Sequence, residues 1–381
     1  MPWQEKSAMS LRLEFVELAA QEGANVRELC RRFQISPKTG YKWIARHDAG
    51  GAQALVDRSR RPHNSPATSG AGLQQAVITL RQQHRSWGGR KIARRLQDLG
   101  QGEVAPSTVT SILHRHGLIS AQASEAATHW MRFEHDAPNA LWQIDFKGEF
   151  PTLVGRCKAL TLLDDHSRFN LNLTVAPDGG IAGVQPVLQA VFRRYGLPVQ
   201  INADNGPPWG TPSAAHHGLS KLSVWLIRLG VRVSHSRPYH PQTNGKLERF
   251  HQSLDKEVLA GRSFDSLHAV QHAFDRWRTV YNHQRPHEAI GLATPAQRYR
   301  ASPLAYPEQL APIEYAHSDN VVRVNAAGYF SFKGQKFKTS EALRGLPVAL
   351  RQVPERDGCF DVVFCHQRFM RVDLTRTQRH T

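Results

Sequence analysis

The sequence predicts a multidomain chain in three parts: N-terminal all-α helix-turn-helix units, a central α/β core with a mixed sheet, and a small C-terminal β-barrel. Three observations carry that reading. The chain has 381 residues, more than one hydrophobic core usually organises. Its apolar spacing is helical over the first third, alternates between strand-like and helical stretches in the middle, and breaks into short segments near the end. Its charge is uneven, since residues 1–120 carry 18 Lys and Arg against 9 Asp and Glu and so supply +9 of a net +17. Such a bias points to a polyanionic partner, because Lys and Arg gain by releasing counterions from phosphate. An apolar content of 40% supports folded cores rather than disorder. No apolar run reaches the ~18–20 residues that cross a bilayer, and Glu5, Lys6, Arg12, Glu14 and Glu17 leave no room for a signal-peptide stretch. Cys30, Cys157, Cys359 and Cys365 are too scattered for a disulfide framework or a zinc module. The expectation is a soluble protein of a reducing compartment.

The first unit begins with Leu11, Phe15, Val16 and Leu18 at helical spacing, closed by Gly23. Val26, Leu29, Cys30 and Phe33 form a second short stripe. Ser36 and Pro37 then supply an N-cap and a first helical residue for a helix to about Ala45. Two short helices joined by a tight turn make a helix-turn-helix pattern, with Lys38, Thr39 and Lys42 facing a major groove and Trp43 and Ile44 packing inward. A second unit repeats the arrangement. Leu73, Val77, Ile78 and Leu80 mark one helix and residues 90–96 the next, while Pro106, Ser107 and Thr108 open a third, capped near Ser107 and closed by Gly117. Arg90, Lys91, Ser107 and Thr108 are its candidate DNA contacts. Between the units lies a Pro/Ser/Gly-rich linker holding Arg58, Arg60 and Arg61, either a solvated charge run or an arm for a minor groove.

In the middle, residues 141–147 read as a strand with Trp142, Ile144 and Phe146 on one face and Gln143, Asp145 and Lys147 on the other. A second strand from Cys157 to Leu163 runs into Asp164 and Asp165, and a third spans Phe169 to Val175, so the three suggest an antiparallel meander. A helix from Ile181 to Tyr195 leads to a fourth strand, Val199 to Ala203, ending at Asp204-Asn205-Gly206. A helix from Leu219 to Leu229 and a strand from Val231 to Ser234 precede a helix that starts near Pro241 or Gln242 and bears Asn244, Glu248 and His251 on one face. Carboxylates converging at a sheet edge repel one another unless a divalent cation holds them. Asp164 and Asp165 read as structural, with Asp165 pairing with Arg168. The abundant histidines lack zinc spacing and read as surface, DNA-facing or supporting groups.

Four motifs now come together: Trp142-Gln143-Ile144-Asp145, Asp164-Asp165-His166-Ser167-Arg168, Asp204-Asn205-Gly206 and His240-Pro241-Gln242-x-Asn244-Gly245-x-x-Glu248-Arg249. They resemble the integrase catalytic core of bacterial insertion-sequence transposases of the DDE group, related to retroviral integrases and built on a ribonuclease-H-like fold. Tyr281-Asn282-x-x-Arg285-Pro286-His287 with Thr294-Pro295 resembles the end of that core. Trp87-Gly88-x-Arg90-Lys91-Ile92 and His116-Gly117-Leu118-Ile119 resemble the family's second DNA-binding unit, so the likeness covers about residues 10–300. It implies that Asp145, Asp204 and Glu248 are the catalytic and metal-binding triad. It implies two Mg²⁺ ions per site with Mn²⁺ as substitute, and further DNA contacts at Asn244, Lys246 and Arg249. The implied partners are double-stranded DNA, both transposon ends and target, and at least one further copy of the chain, with no membrane and a cytoplasmic, nucleoid-associated location. Two features depart from the family pattern. The gap between Asp204 and Glu248 holds 43 residues, longer than is usual, and Asp255 stands seven residues after Glu248 where a Lys or Arg is common.

Beyond about Val321, short segments at 321–324, 329–332, 348–351, 360–364 and 369–372, with glycines at the turns, suggest the small β-barrel. Lys333, Lys336 and Lys338 there either touch DNA or keep the surface soluble. The expected division is a first helix-turn-helix domain at 1–56, a basic linker at 57–70, a second helical DNA-binding domain at 71–120, a linker at 121–134, the catalytic core at 135–300, the barrel at 310–373 and a frayed tail at 374–381. The implied activity is cleavage and strand transfer at the terminal inverted repeats of a mobile element. A catalytically silent DNA-binding regulator and a structure-specific nuclease are the alternatives.

Overall fold

The computed structural model describes residues 7–58, 69–119, 134–176, 181–210, 219–235, 245–354 and 356–375. The chain divides into two compact units, Met1–Ser69 and Gly70–Thr381.

The first unit holds α1 (Ala8–Ala19), α2 (Val26–Arg32) and α3 (Pro37–Gly50), followed by a 3₁₀ turn. Each helix starts on a side-chain cap: Ser7 accepts from the Ser10 N–H, Asn25 from Glu28 and Ser36 from Thr39. α3 runs five residues beyond the expected Ala45 because nothing stops it before Gly51, whose φ of 62° ends it. Phe15, Val16, Cys30, Trp43 and Leu55 form the core. Gly40 lets α3 approach, since a Cβ there would collide with Cys30 Sγ and lie 2.9 Å from Phe15 Cζ.

The second unit opens with α4 (Ala71–Gln83), α5 (Gly89–Asp98) and α6 (Pro106–Arg115) around Trp87, Ile92, Leu96, Val109 and Ile112. Ser107 does not cap α6. Ala105 holds that position with no side-chain bond, and Pro106 at the first helical place needs no N–H acceptor.

A five-stranded sheet follows, ordered β3-β2-β1-β4-β5, from β1 (Trp142–Thr152), β2 (Gly155–Asp164), β3 (Asn170–Ala176), β4 (Gln200–Ala203) and β5 (Arg232–His235). The first three strands form the expected antiparallel meander, and β4 and β5 run parallel to β1 after helical crossovers. α7 (Ile181–Tyr195) and α8 (Lys221–Arg228) cover one face, burying Trp142, Ile144, Leu160, Leu162 and Ile201. α9 (Gly245–Leu254) and α10 (Leu267–His283) cover the other with Ala159, Leu163 and Leu173. Between them the chain makes a π-helical turn at Asp255–Leu259. A short α11 (Pro295–Arg298) ends this region.

The C-terminal strands are β6 (Asn320–Arg323), β7 (Tyr329–Phe332), β8 (Gln335–Lys338), β9 (Pro347–Gln352), β10 (Cys359–Phe364) and β11 (Gln367–Asp373). They do not close into the expected barrel. β11-β10-β9-β6 is an open sheet and β7-β8 a separate hairpin. Closure is unnecessary because the apolar face is covered otherwise: the hairpin lays Phe330, Phe332 and Phe337 on it, with Phe332 5.0 Å from Phe360. The same cluster continues into the α7/α8 face of the central sheet. Gln367 fastens the two sheets, since its amide oxygen accepts from the Val233 N–H at 2.8 Å and its nitrogen donates to the Val233 carbonyl at 2.8 Å. No described helix is long and apolar enough to cross a membrane.

Candidate active site

Strand alternation decides which side of the sheet each carboxylate takes. Trp142 and Ile144 face α7 and α8, so Asp145 points to the α9 face, where it lies opposite Thr161 of β2. Ile201 and Ala203 of β4 also face α7 and α8, which gives Asp204 the α9 side at the next position. Glu248 stands exposed in the first turn of α9. The three share one electrostatic site. Burial pushes the Asp145 carboxyl up to about 6, with Asp204 and then Glu248 adding repulsion against the opposing Phe146 N–H. Among the described residues, no three His, Cys, Asp or Glu side chains close into a finished metal cage.

Each carboxylate is set by its surroundings. The Asp204 carboxylate accepts from the Gly206 N–H at 3.1 Å, and a Cβ at Gly206 would stand 3.4 Å from its Oδ2. His235 on β5 donates from Nδ1 to the Asp204 carbonyl at 2.7 Å, which fixes the end of β4. α9 is anchored by Leu247, Phe250 and Leu254, with the Phe250 ring 4.9 Å from Tyr281 and 5.3 Å from Trp277.

Polar ties from α9 to β1 and β2 add register. The Thr161 hydroxyl donates to the Asp145 carbonyl at 2.9 Å and lies 2.9 Å from His251 Nε2. A carbonyl only accepts, so Thr161 has spent its proton and His251 Nε2 must be the donor. Burial, with Lys147 helping, holds His251 down to about 4, keeping it neutral. Lys147 reaches Asp255 at 3.0 Å, so the residue standing where the family often has a cation is itself neutralised by β1. In the π-helical turn, Glu257 accepts from Arg285, from Trp277 Nε1 at 2.7 Å and from Ser86 of the α4–α5 connection. Thr161 and Glu257 escaped the sequence reading, and Lys147 and Arg285 entered it without these partners. The alternation that puts Lys147 and Asp145 on one face, and the three-residue step from Glu248 to His251, were the signals available.

Asp164 and Asp165 behave differently. Asp164 is fully buried and accepts from Asn139 N at 2.7 Å, Ser167 N at 2.8 Å and Ser167 Oγ at 2.5 Å; burial still pushes its carboxyl up. Asp165 accepts from His135 N and Gln143 Nε2 and pairs with Lys246 at 2.5 Å. Arg168 therefore pairs not with Asp165 but with Glu134, at 3.4 Å, because its backbone turns at φ 65° and directs it there.

The expected DNA contacts fall in several settings. Lys38 and Lys42 are exposed on α3, Lys42 over the Trp43 ring at 4.4 Å, while Thr39 is engaged with Ser36 at the cap. Arg58 and Ser107 are exposed, and Thr108 is half-buried. Arg60, Arg61 and Asn244 lie outside the described residues. Arg90 meets Glu288 at 3.4 Å, and Lys91 is half-buried against the core. Lys246, 17% exposed, is occupied by Asp165, whereas Arg249 is exposed.

Integrase core domain families match residues 135–241 and 229–295. A helix-turn-helix domain matches residues 11–63, a homeodomain-like domain 39–113, and the IS481 family transposase C-terminal domain 319–380. The uncharacterized 31.7 kDa protein of insertion element IS407 from Burkholderia multivorans is 29% identical over 180 residues, 45% of this chain and 61% of that protein. The uncharacterized 39.2 kDa protein of insertion element IS476 from Xanthomonas euvesicatoria is 28% identical over 247 residues, 62% of this chain and 66% of that protein. The chain thus spans under two thirds of the length of either relative. A chain of the simian T-cell lymphotropic virus intasome, solved in complex with PP2A regulatory subunit B56 gamma, aligns with TM-score 0.39 and 17% identity over 75% of this chain and 91% of that one. Core, helix-turn-helix and C-terminal matches follow one another along a single polypeptide, so the chain carries integrase core, helix-turn-helix and IS481-type C-terminal domains and is similar to proteins of bacterial insertion elements.

Proposed function

We propose that this protein binds the terminal inverted repeats of its own mobile element and catalyses DNA cleavage and strand transfer at Asp145, Asp204 and Glu248. The observation that carries the reading is the Asp145 carboxyl, held up at about 6 by burial and by the two other acids on the same side of the sheet. Acids that raise one another are unfavourable in isolation and suited to a shared divalent cation. The donors are all hard carboxylate oxygens, which fits Mg²⁺, with Mn²⁺ as substitute and two ions as the working stoichiometry. When bound, such ions activate a water or 3′-hydroxyl and neutralise charge on the phosphodiester under attack.

The chain's own residues supply position. Asp145 is fixed by β1, and its carbonyl is held by Thr161. The His235 bond steadies the end of β4 under Asp204. Glu248 rides on α9, whose register follows from neutral His251 and the Lys147–Asp255 pair. Residues 1–56 and 71–120 deliver the element end, with Lys38, Thr39 and Lys42 and then Ser107 and Thr108 as groove contacts and Arg58, Arg60 and Arg61 as the linking arm. Asn244, Lys246 and Arg249 are further DNA contacts, neighbours of Glu248 in the sequence of the core of residues 135–300. Lys246 is free to touch DNA only once it leaves Asp165. Joining two ends requires at least two copies of the chain, acting on cytoplasmic, nucleoid-associated DNA.

The test incubates the full chain with duplexes carrying its own element's ends, a target plasmid and Mg²⁺. Cleaved ends and joined products are expected, disappearing with a chelator and in Asp145→Asn. End binding without any product would leave a silent regulator, and cutting of branched DNA regardless of end sequence would leave a nuclease.

A further inference from the structure

One buried carboxylate joins the strand of Asp145 to the helix of Glu248. Asp165 lies just past β2 with its side chain 1% exposed, and it takes its own position from β1 and the approach to it. Its N–H donates to the Leu141 carbonyl at 2.9 Å, and its carboxylate accepts from Gln143 Nε2 at 2.9 Å and from the His135 N–H at 3.0 Å. Gln143 stands two residues before Asp145 on the same face of β1. The carboxylate then reaches the Lys246 ammonium at 2.5 Å, in the first turn of α9. Arg168 is taken up by Glu134 and leaves Asp165 to the lysine.

Glu248 needs such a tie. The first N–H groups of a helix have no acceptor within it, so its first turn is where it frays. Glu248 is the fourth residue of α9, and its side chain is exposed. Leu247, Phe250 and Leu254 bury the helix, but apolar contact tolerates sliding and rotation that a charged hydrogen bond does not. The other polar ties described between this helix, with the turn after it, and the sheet are His251 to Thr161 and Asp255 to Lys147. Both come after Glu248 in the chain, and Lys246 comes before it. Two residues apart on a helix, Lys246 and Glu248 point to nearly opposite sides, so the lysine holds the turn without taking the space of the acid.

We propose that Asp165 and Lys246 are a positioning pair: together they set the first turn of α9, and with it the Glu248 carboxylate, against the strand that carries Asp145. Asp165 acts through Lys246, its own oxygens being taken. The inference rests on the reading of the protein as a DNA-joining enzyme and adds the means by which Glu248 is brought to the other two acids. It also separates two uses of Lys246, since the lysine places Glu248 only while it stays on Asp165 and can meet DNA only when it leaves.

The experiment measures, on the full chain, the affinity for an element-end duplex and the rate of end joining at saturating duplex and Mg²⁺. The variants are Asp165→Asn, Lys246→Met, Lys246→Arg and the double variant Asp165→Asn/Lys246→Met. Asp165→Asn keeps size and releases the lysine for DNA, so affinity should hold or rise. Its joining rate should nevertheless fall about 10–100-fold, the scale of a misplacement by an ångström. Lys246→Met should lose the same factor at saturation, and Lys246→Arg should recover most of it. Lys246 is the less buried partner, 17% exposed, so its variants read the same loss should Asp165→Asn fail to fold. Each single variant strands one charge that the double variant removes. The double should therefore melt above the singles and still join as slowly as they do. Without DNA, Mn²⁺ should raise the melting temperature of the unsubstituted chain more than that of Lys246→Met, because Glu248 is no longer held for the cation. A full joining rate in Asp165→Asn or Lys246→Met overturns the positioning role. So does a double variant that regains its rate along with its melting temperature, which would leave the pair only balancing charge in the fold. Should the unsubstituted chain neither bind nor join element ends, the functional reading falls and takes this one with it; if it joins them and the variants do so equally fast, the positioning alone is lost.

Discussion

Two pairs of aspartates sit on or just beyond neighbouring strands of the central sheet, and they differ in how far their oxygens are already used. Asp164 takes three hydrogen bonds and Asp165 takes two with a lysine, so both are committed to holding the β2–β3 turn against residues 134–139. Asp145 and Asp204 take few, and what Asp145 chiefly meets besides burial is other acids. A place on or beside the central strands is common to both pairs. Unspent acceptor capacity, and for Asp145 the like charge it faces, separates the second pair from the first.

The sharpest way to break that contrast is to neutralise each acid in turn. Asp145→Asn, Asp204→Asn and Glu248→Gln should each reduce joined products to background while end binding persists, measured by gel assay and by binding isotherm. Retention of more than a few per cent of product would remove that residue from the triad. Asp164→Ala should instead cost about 3–5 kcal/mol of stability in urea, because buried donors lose a charged acceptor.

A subtler effect concerns the charge of Asp145 itself. The folded Asp145 carboxyl titrates near 6, above its unfolded value, so the ionised acid burdens the fold above that pH and the burden vanishes below about 4. Asp145→Asn should therefore stabilise the chain by on the order of 1–3 kcal/mol at pH 7.5, with no gain near pH 3.5. Thermal melts at both pH values check this, and a loss of stability at pH 7.5 would show Asp145 to be committed as Asp164 is. The smallest expected change is for Arg58, Arg60 and Arg61 replaced together by Ala: an unchanged melting temperature and a salt slope for end binding lower by about 2–3. An unchanged slope would return them to a charged linker.

The site was legible where local periodicity decides the outcome. Alternation along residues 142–146 separates Asp145 from the buried Trp142 and Ile144, and the helix from Ile181 to Tyr195 needs only its own apolar stripe. The misses are non-local. Whether β6 pairs with β11 depends on what covers the C-terminal sheet, which no window around either strand reveals. Arg168 reaches Glu134 across a turn whose left-handed residue is Arg168 itself, an uncommon conformation for such a side chain. Glu257 gathers partners 20, 28 and 171 residues away, so its importance lay in the fold and not in its neighbours along the chain.

Gln367 has a consequence for what happens when the chain is incomplete. β5 is the outer strand of the central sheet, and a single amide imitates the next strand by giving and taking a hydrogen bond at Val233. Remove it, and the backbone groups of Val233 are open to any extended peptide, including the same strand of another truncated copy. A product that ends before residue 367 still contains both helical units and all three acids, but it lacks the group that covers this edge. The last hairpin of the fold thus keeps the edge of the central sheet from being an open template, and a chain without it is expected to self-associate in sedimentation.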